Sequence, residues 1–169
     1  FEGITLRGGL RIHLDYHKGG SPLAHRHVSI EGCVMEGRRH GGTESDAAAG
    51  GAIELRAGDL RVLGSQFVNL RARDGGALAL TGEHARASIS SSTFSANWAV
   101  RGGAIYVGAG VLTLSGTHIT GNEATREGGG LYLEQETSVV MADETVVMKN
   151  MASQGKSYFV ANAAATELY

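Results

Sequence analysis

Proline is nearly missing from this chain of 169 residues, which holds only Pro22, and cysteine is limited to Cys33. One thiol excludes an internal disulfide framework, and with no reactive motif around it Cys33 reads as a small buried hydrophobe. No apolar stretch approaches the roughly 18 residues that a membrane-spanning helix needs, so this segment is not expected to insert directly into a membrane. Charge of one sign is missing too: 15 Lys and Arg against 17 Asp and Glu give a net charge of −2, with no basic run. A field that weak argues against nucleic acid or anionic lipid as a partner. None of Asn69, Asn97, Asn122, Asn150 and Asn162 begins an N-x-Ser/Thr acceptor, so a glycosylated ectodomain has no support. No secretory leader is visible and the chain opens on FEGITLRGG; it is expected to be a processed chain or a segment of a longer one.

Glycine, by contrast, occurs 26 times. Collagen would require glycine at every third residue with abundant proline, and a disordered chain would lack the Ile, Val and Leu present here. Glycine among short apolar stretches points to tight turns between short strands.

The glycines keep time. Gly50-Gly51-Ala52-Ile53 returns as Gly75-Gly76-Ala77-Leu78 and as Gly102-Gly103-Ala104-Ile105, with weaker copies from Gly128 and Gly155, at steps of 25, 27, 26 and 27. A phosphate-cradling loop would need Lys-Ser/Thr and a following helix and would not recur, so the glycine pair reads as a corner. Each period holds three apolar clusters. The first is Ile53/Leu55, Leu78/Leu80, Ile105/Val107, Leu131/Leu133 and Tyr158/Val160. The second is Leu60/Val62, Ala87/Ile89, Leu112/Leu114 and Val139/Met141, and the third centres on Phe67, Phe94, Ile119 and Val146 or Val147. Apolar residues two apart are strand periodicity. Three short strands per coil of about 26 residues predict an all-β fold, a right-handed parallel β-helix. Ile105 and Leu114 are then inward, stacked on Leu78 and Ile89 below and on Leu131 and the 139–141 strand above.

The solenoid is expected to occupy the whole chain, 1–169, as one domain, with an irregular first coil over 8–49 and regular coils over 50–160. From Gly8-Gly9 to Gly50-Gly51 is 42 residues, some 16 more than one turn. The surplus is placed in two loops, 17–27 and 37–49. Residues 161–169 read as the start of a short helix. Asn97, Asn122 and Asn150 each follow the third cluster by three residues and are expected to stack as a hydrogen-bonded ladder at a left-handed corner.

GGA-[I/L/V] followed within the turn by F-x-x-N, complete at Phe94-Ser95-Ala96-Asn97, resembles the repeat of the polymorphic outer membrane proteins. These are chlamydial autotransporter adhesins, and their β-helices are similar to the pectin-lyase-like superfamily. The resemblance covers roughly residues 50–160. It implies a surface-exposed, adhesive passenger segment and an extracellular or cell-surface location.

Many parallel β-helices act on polysaccharides, which need a calcium site of clustered carboxylates or paired carboxylates across a groove. The outward slot of the first strand reads Glu54, Ala79, Tyr106, Tyr132, Phe159, and the slot before the glycine pair reads Ala49, Asp74, Arg101, Glu127, Gln154. Neither pairs carboxylates. Asp74, Arg101 and Glu127 instead read as an ion ladder favouring correct register. Tyr106, Tyr132 and Phe159 read as a contiguous strip of rings on the outer wall, the kind of surface that binds a partner. His13, Asp15 and His17 share one strand face and His25 and His27 another, a weak candidate for a divalent metal set against a solvated polar face. The expected function is therefore a non-enzymatic structural or adhesive module with a protein or glycan partner and no cofactor. A scaffold subunit of a large assembly and part of a carbohydrate-active protein are the alternatives. Neighbouring coils or a capping subunit are expected to cover the ends, since a β-helix leaves strand edges there.

Overall fold

The computed structural model describes residues 5–7, 12–14, 27–37, 49–134, 137–142 and 144–161, the first two stretches as backbone alone. The 17–27 and 37–49 loops, and the segment expected to start a helix, lie almost wholly outside the described residues. The strands are β1 (Thr5–Arg7), β2 (Ile12–Leu14), β3 (His27–Glu31), β4 (Val34–Glu36), β5 (Ile53–Leu63) and β6 (Gln66–Val68). They continue with β7 (Leu78–Ser90), β8 (Thr93–Ser95), β9 (Trp98–Arg101), β10 (Ile105–Val107), β11 (Val111–Ser115) and β12 (His118–Thr120). The last are β13 (Glu123–Glu127), β14 (Leu131–Leu133), β15 (Ser138–Met141), β16 (Val146–Met148) and β17 (Tyr158–Val160).

Every strand pairs in parallel with its equivalent one turn away. The third strands form a six-stranded sheet in the order β1-β4-β6-β8-β12-β16. First and second strands share a nine-stranded sheet, because β5 and β7 run through the corner that glycines open between β10 and β11. The chain is thus an all-β parallel solenoid, and among the described residues there is no helix, hence none that could cross a membrane. The three-strand coil gains a short fourth element, β9 on β13, which the sequence reading missed because no apolar alternation marks it.

Alternation fills the interior with one column per inward position. Ile53, Leu78, Ile105, Leu131 and Tyr158 are in register along the first strand, and Val62, Ile89, Leu114 and Met141 along the second. Met35, Phe67, Phe94, Ile119 and Val147 form the third column, in which the Phe67 and Phe94 rings stack with centroids 4.5 Å apart. Ile105 and Leu114 are fully buried, as the register required.

The repeated glycine pair has two separate causes, clear at Gly102-Gly103. Gly102 has φ +63°, a left-handed backbone that costs little only for glycine. Gly103 has no room for a side chain, since a Cβ there would meet the Gly129 carbonyl oxygen of the next coil at 2.2 Å. The first coil is longer than the next: Ile12 to Ile53 is 41 positions against 25 from Ile53 to Leu78, although both pairs are in strict register.

Candidate functional site

The outward side chains of the first strand form one column, with Glu54, Ala79, Tyr106, Tyr132 and Phe159 in consecutive register, and the backbone of His13 pairs beside Glu54. Tyr106 stacks on Tyr132, and Tyr132 on Phe159, each with centroids 5.4 Å apart. The strip of rings exists, but it is not the open surface expected. Tyr106 is 9 % and Tyr132 5 % exposed, and with Ala49 and Ala79 they make a second, small apolar cluster outside the coil, against which Phe159 and Ala161 pack.

Arg101 roofs this cluster. Its guanidinium lies 5.0 Å from the Tyr106 ring centroid and 5.2 Å from that of Tyr132. Nε donates to Asp74 at 2.8 Å and a terminal nitrogen to Glu134 at 3.0 Å. The same Glu134 oxygen accepts the Tyr106 hydroxyl proton at 3.0 Å. The ion ladder therefore differs from the one expected. Asp74, Arg101 and Glu127 are neighbours in register, yet the second partner of Arg101 is Glu134 rather than Glu127. The long arginine reaches across the wall to a carboxylate that also caps the tyrosine.

This arrangement moves the acidities of three groups. Burial pushes the Tyr106 hydroxyl well above its ordinary value; Arg101 pulls the other way and the bond to Glu134 adds to the rise. Tyr132 is raised for the same first reason, against the pull of Arg101. Burial alone disfavours the Arg101 charge, but the hydrogen bond and attraction of Asp74 outweigh it and the guanidinium pKa rises. Both carboxylates of the cluster are thus tied to a permanent cation, an arrangement that fixes the outer wall in place.

Asn97, Asn122 and Asn150 stack at one buried corner. Asn122 Oδ1 accepts both the backbone N–H of Asn97, at 3.0 Å, and its Nδ2, at 2.9 Å, while Asn122 Nδ2 donates to the Phe94 carbonyl at 3.0 Å and to Asn150 Oδ1 at 3.0 Å. The left-handed backbone lies one position earlier than expected. Asn69, Ala96, Gly121 and Lys149 carry it, with φ between 53° and 66°. The ladder asparagines themselves serve through their amides.

A second ladder escaped the sequence reading. Cys33, Ser65, Ser92 and Thr117 are buried at the corner before the third strand. Cys33 N–H donates to Ser65 Oγ and Ser65 N–H to Ser92 Oγ, each at 3.1 Å. The signal was there: a left-handed residue followed by a small polar one in Gly64-Ser65, Ser91-Ser92, Gly116-Thr117 and Glu144-Thr145.

Of the histidine candidates, His13 is described as backbone only, Asp15, His17 and His25 lie outside the described residues, and His27 is exposed at the start of β3. Among the described residues no three His, Cys, Asp or Glu side chains gather as a metal would require.

With this geometry in hand, the comparisons define a class. The Chlamydia polymorphic membrane protein repeat matches residues 91–108, the stretch from the small-polar corner through β8, the Asn97 rung and the glycine pair to β10. The chain is a β-helix carrying a repeat similar to that family's, and together these fit an adhesin-like structural module. No curated protein and no solved structure matches it.

Proposed function

We propose that the chain is a non-enzymatic adhesive module, displayed at a cell surface, that presents its outer wall to a protein or glycan. The observation that carries this reading is the repeat at 91–108 set in a parallel solenoid whose wall bears a preorganised aromatic and ionic cluster. The tyrosines are mostly covered, so the contact is made by what they hold in place: the rim of Phe159, the Arg101 fork, 26 % exposed, and Glu134, 32 % exposed. Aromatic residues and arginine are the side chains that carry most energy at interfaces. The inserted segments 17–27 and 37–49 offer further contacts, since loops inserted in a solenoid collect on one face.

The test uses beads coated with the protein, applied to cultured animal cells and to a printed glycan array. Binding that falls at least tenfold in Arg101→Gln/Phe159→Ser, with an unchanged circular dichroism spectrum, supports the proposal. Equal binding by the variant, or no binding by the parent protein, overturns it. Cleavage of a polyuronide by the chain would establish the carbohydrate-active alternative instead.

A further inference from the structure

One outward wall takes no part in the cluster around Arg101. It is the face of β9 and β13 with the adjoining stretches of the coils on either side. Its inward side chains are the buried Ala72, Ala99 and Ala124. Outward, Arg71, Trp98, Glu123 and Met151 stand in register, one to a coil. The Arg71 guanidinium lies 5.6 Å from the Trp98 ring centroid. The register of β13 on β9 slips between Ala124 and Glu127, and Thr125 and Arg126 are both exposed there. Bulges of this kind re-aim side chains and are frequent beside active sites.

The wall is also charged as no single stretch of sequence is. Arg71, Arg73, Arg126 and Lys149 are all exposed, and none is ion-paired among the described residues. Against them stands Glu123, in a chain whose net charge is −2. Of the bordering acids, Asp74 is bonded to Arg101 and Glu127 is half-buried. The four cations are scattered along the sequence and become neighbours only because coils stack at about 4.8 Å. Beside them two apolar side chains stand in water: Met148 is 47 % and Met151 60 % exposed.

A polysaccharide or a nucleic acid would answer the cations and leave the methionines uncovered. An acidic protein segment answers both. Arginine forks donate two parallel bonds to a carboxylate, and arginine, tryptophan and methionine are enriched at protein interfaces. We propose that this wall is a second interaction surface and takes an acidic, partly apolar segment of another protein. The segment lies extended along the coil axis, its carboxylates on Arg71, Arg73 and Arg126 and an apolar side chain against Met151. Three coil steps, from Arg71 to Met151, span about 14 Å, the reach of about four extended residues. The inference is independent of what the Arg101 wall binds.

Trp98 is the only tryptophan, so its emission reports on this wall alone. The full chain is titrated with a synthetic peptide repeating Leu-Asp-Glu, with one repeating Leu-Lys-Lys, and with polyglutamate. The acidic peptide should change the emission saturably, and the basic one should not. Arg73→Gln/Arg126→Gln should weaken the acidic peptide at least tenfold with an unchanged circular dichroism spectrum. Arg101→Gln/Phe159→Ser should bind it as the parent does. No binding of the acidic peptide by the parent overturns the proposal, as does equal binding by Arg73→Gln/Arg126→Gln. Lost binding in Arg101→Gln/Phe159→Ser would place the peptide on the other wall and overturn it too. Polyglutamate bound as tightly as the acidic peptide would mean a surface for charge alone, which overturns the protein assignment. A dimer of the parent in light scattering, dissociated by Arg73→Gln/Arg126→Gln, would make a second copy the occupant and overturn it equally.

Discussion

Asn122 is the most demanding residue of the solenoid. It serves four groups at once, the backbone N–H and Nδ2 of Asn97, the Phe94 carbonyl and Asn150 Oδ1. Leucine would fit the volume but take the acceptor from the Asn97 backbone N–H, while Asn97 Nδ2 keeps the Phe67 carbonyl and Asn150 Oδ1 keeps the backbone N–H of residue 122. An orphaned buried polar group costs about 1–3 kcal/mol, so Asn122→Leu should lower unfolding free energy by about that much. Asn150→Leu should cost less, because among the described residues the side chain of Asn150 bonds only to Asn122 and Ile119 of the preceding coil. Denaturant titration of the two variants checks the order, and equal losses would mean that the ladder does not act rung by rung. At the second ladder Cys33 stands where other coils have Ser or Thr, its Sγ 3.3 Å from the Glu31 carbonyl. Serine shortens and strengthens that bond, so Cys33→Ser should leave stability unchanged or raise it by about 0.5–1 kcal/mol; a clear loss would show that the site values sulfur for its apolar volume.

At the scale of the element, the first strands carry two opposite faces with different legibility. Their inward face was readable because alternation and glycine corners are each forced by local chemistry: Gly103 by a neighbouring carbonyl, Ile105 by the core. The outward face was readable only as a column. Over it lies Arg101, which meets Asp74 and Glu134, 27 and 33 residues away, and no local pattern encodes a reach of that length. The left-handed corner residues were hidden for another reason. Asn69, Ala96, Gly121 and Lys149 share a backbone conformation and no side-chain chemistry, so the eye settles on the asparagines beside them. The buried column also has a pH signature. Tyr106 and Tyr132 have raised pKa values in the folded chain, whereas an unfolded tyrosine titrates near 10. Below about pH 10 both states hold the proton and the stabilisation is complete; above it the unfolded chain releases protons first and gains relative to the fold. Stability should therefore fall above about pH 10, by at most about 1.4 kcal/mol per pH unit for each tyrosine. Tyr106→Phe/Tyr132→Phe should flatten that limb in an alkaline series of urea titrations, and an unchanged slope would remove these two residues as its cause.

Across the whole molecule, each coil touches only its neighbours, so stability accumulates coil by coil and irregularity in one coil need not spread. The first coil shows how far this goes. From Glu36 to Ile53 is 17 positions, against 10 from Val68 to Leu78 between the equivalent strands, so seven residues are surplus to the stack there. The closure entropy of a loop grows only with the logarithm of its length. Shortening this connection from 17 to 10 positions should therefore gain about 0.5 kcal/mol if the segment makes no contacts that matter to the fold. Deletion of residues 41–47 performs that change while leaving the Gly50-Gly51 corner and the β4 strand intact. The expected outcome is a chain with the parent spectrum and an unfolding midpoint equal to or slightly above the parent. A loss greater than about 2 kcal/mol would show that the segment packs on the solenoid as part of its core, since that is the scale of a buried apolar side chain and not of a loop. Unchanged stability with weakened attachment of coated beads to cells would place part of the binding surface on these residues.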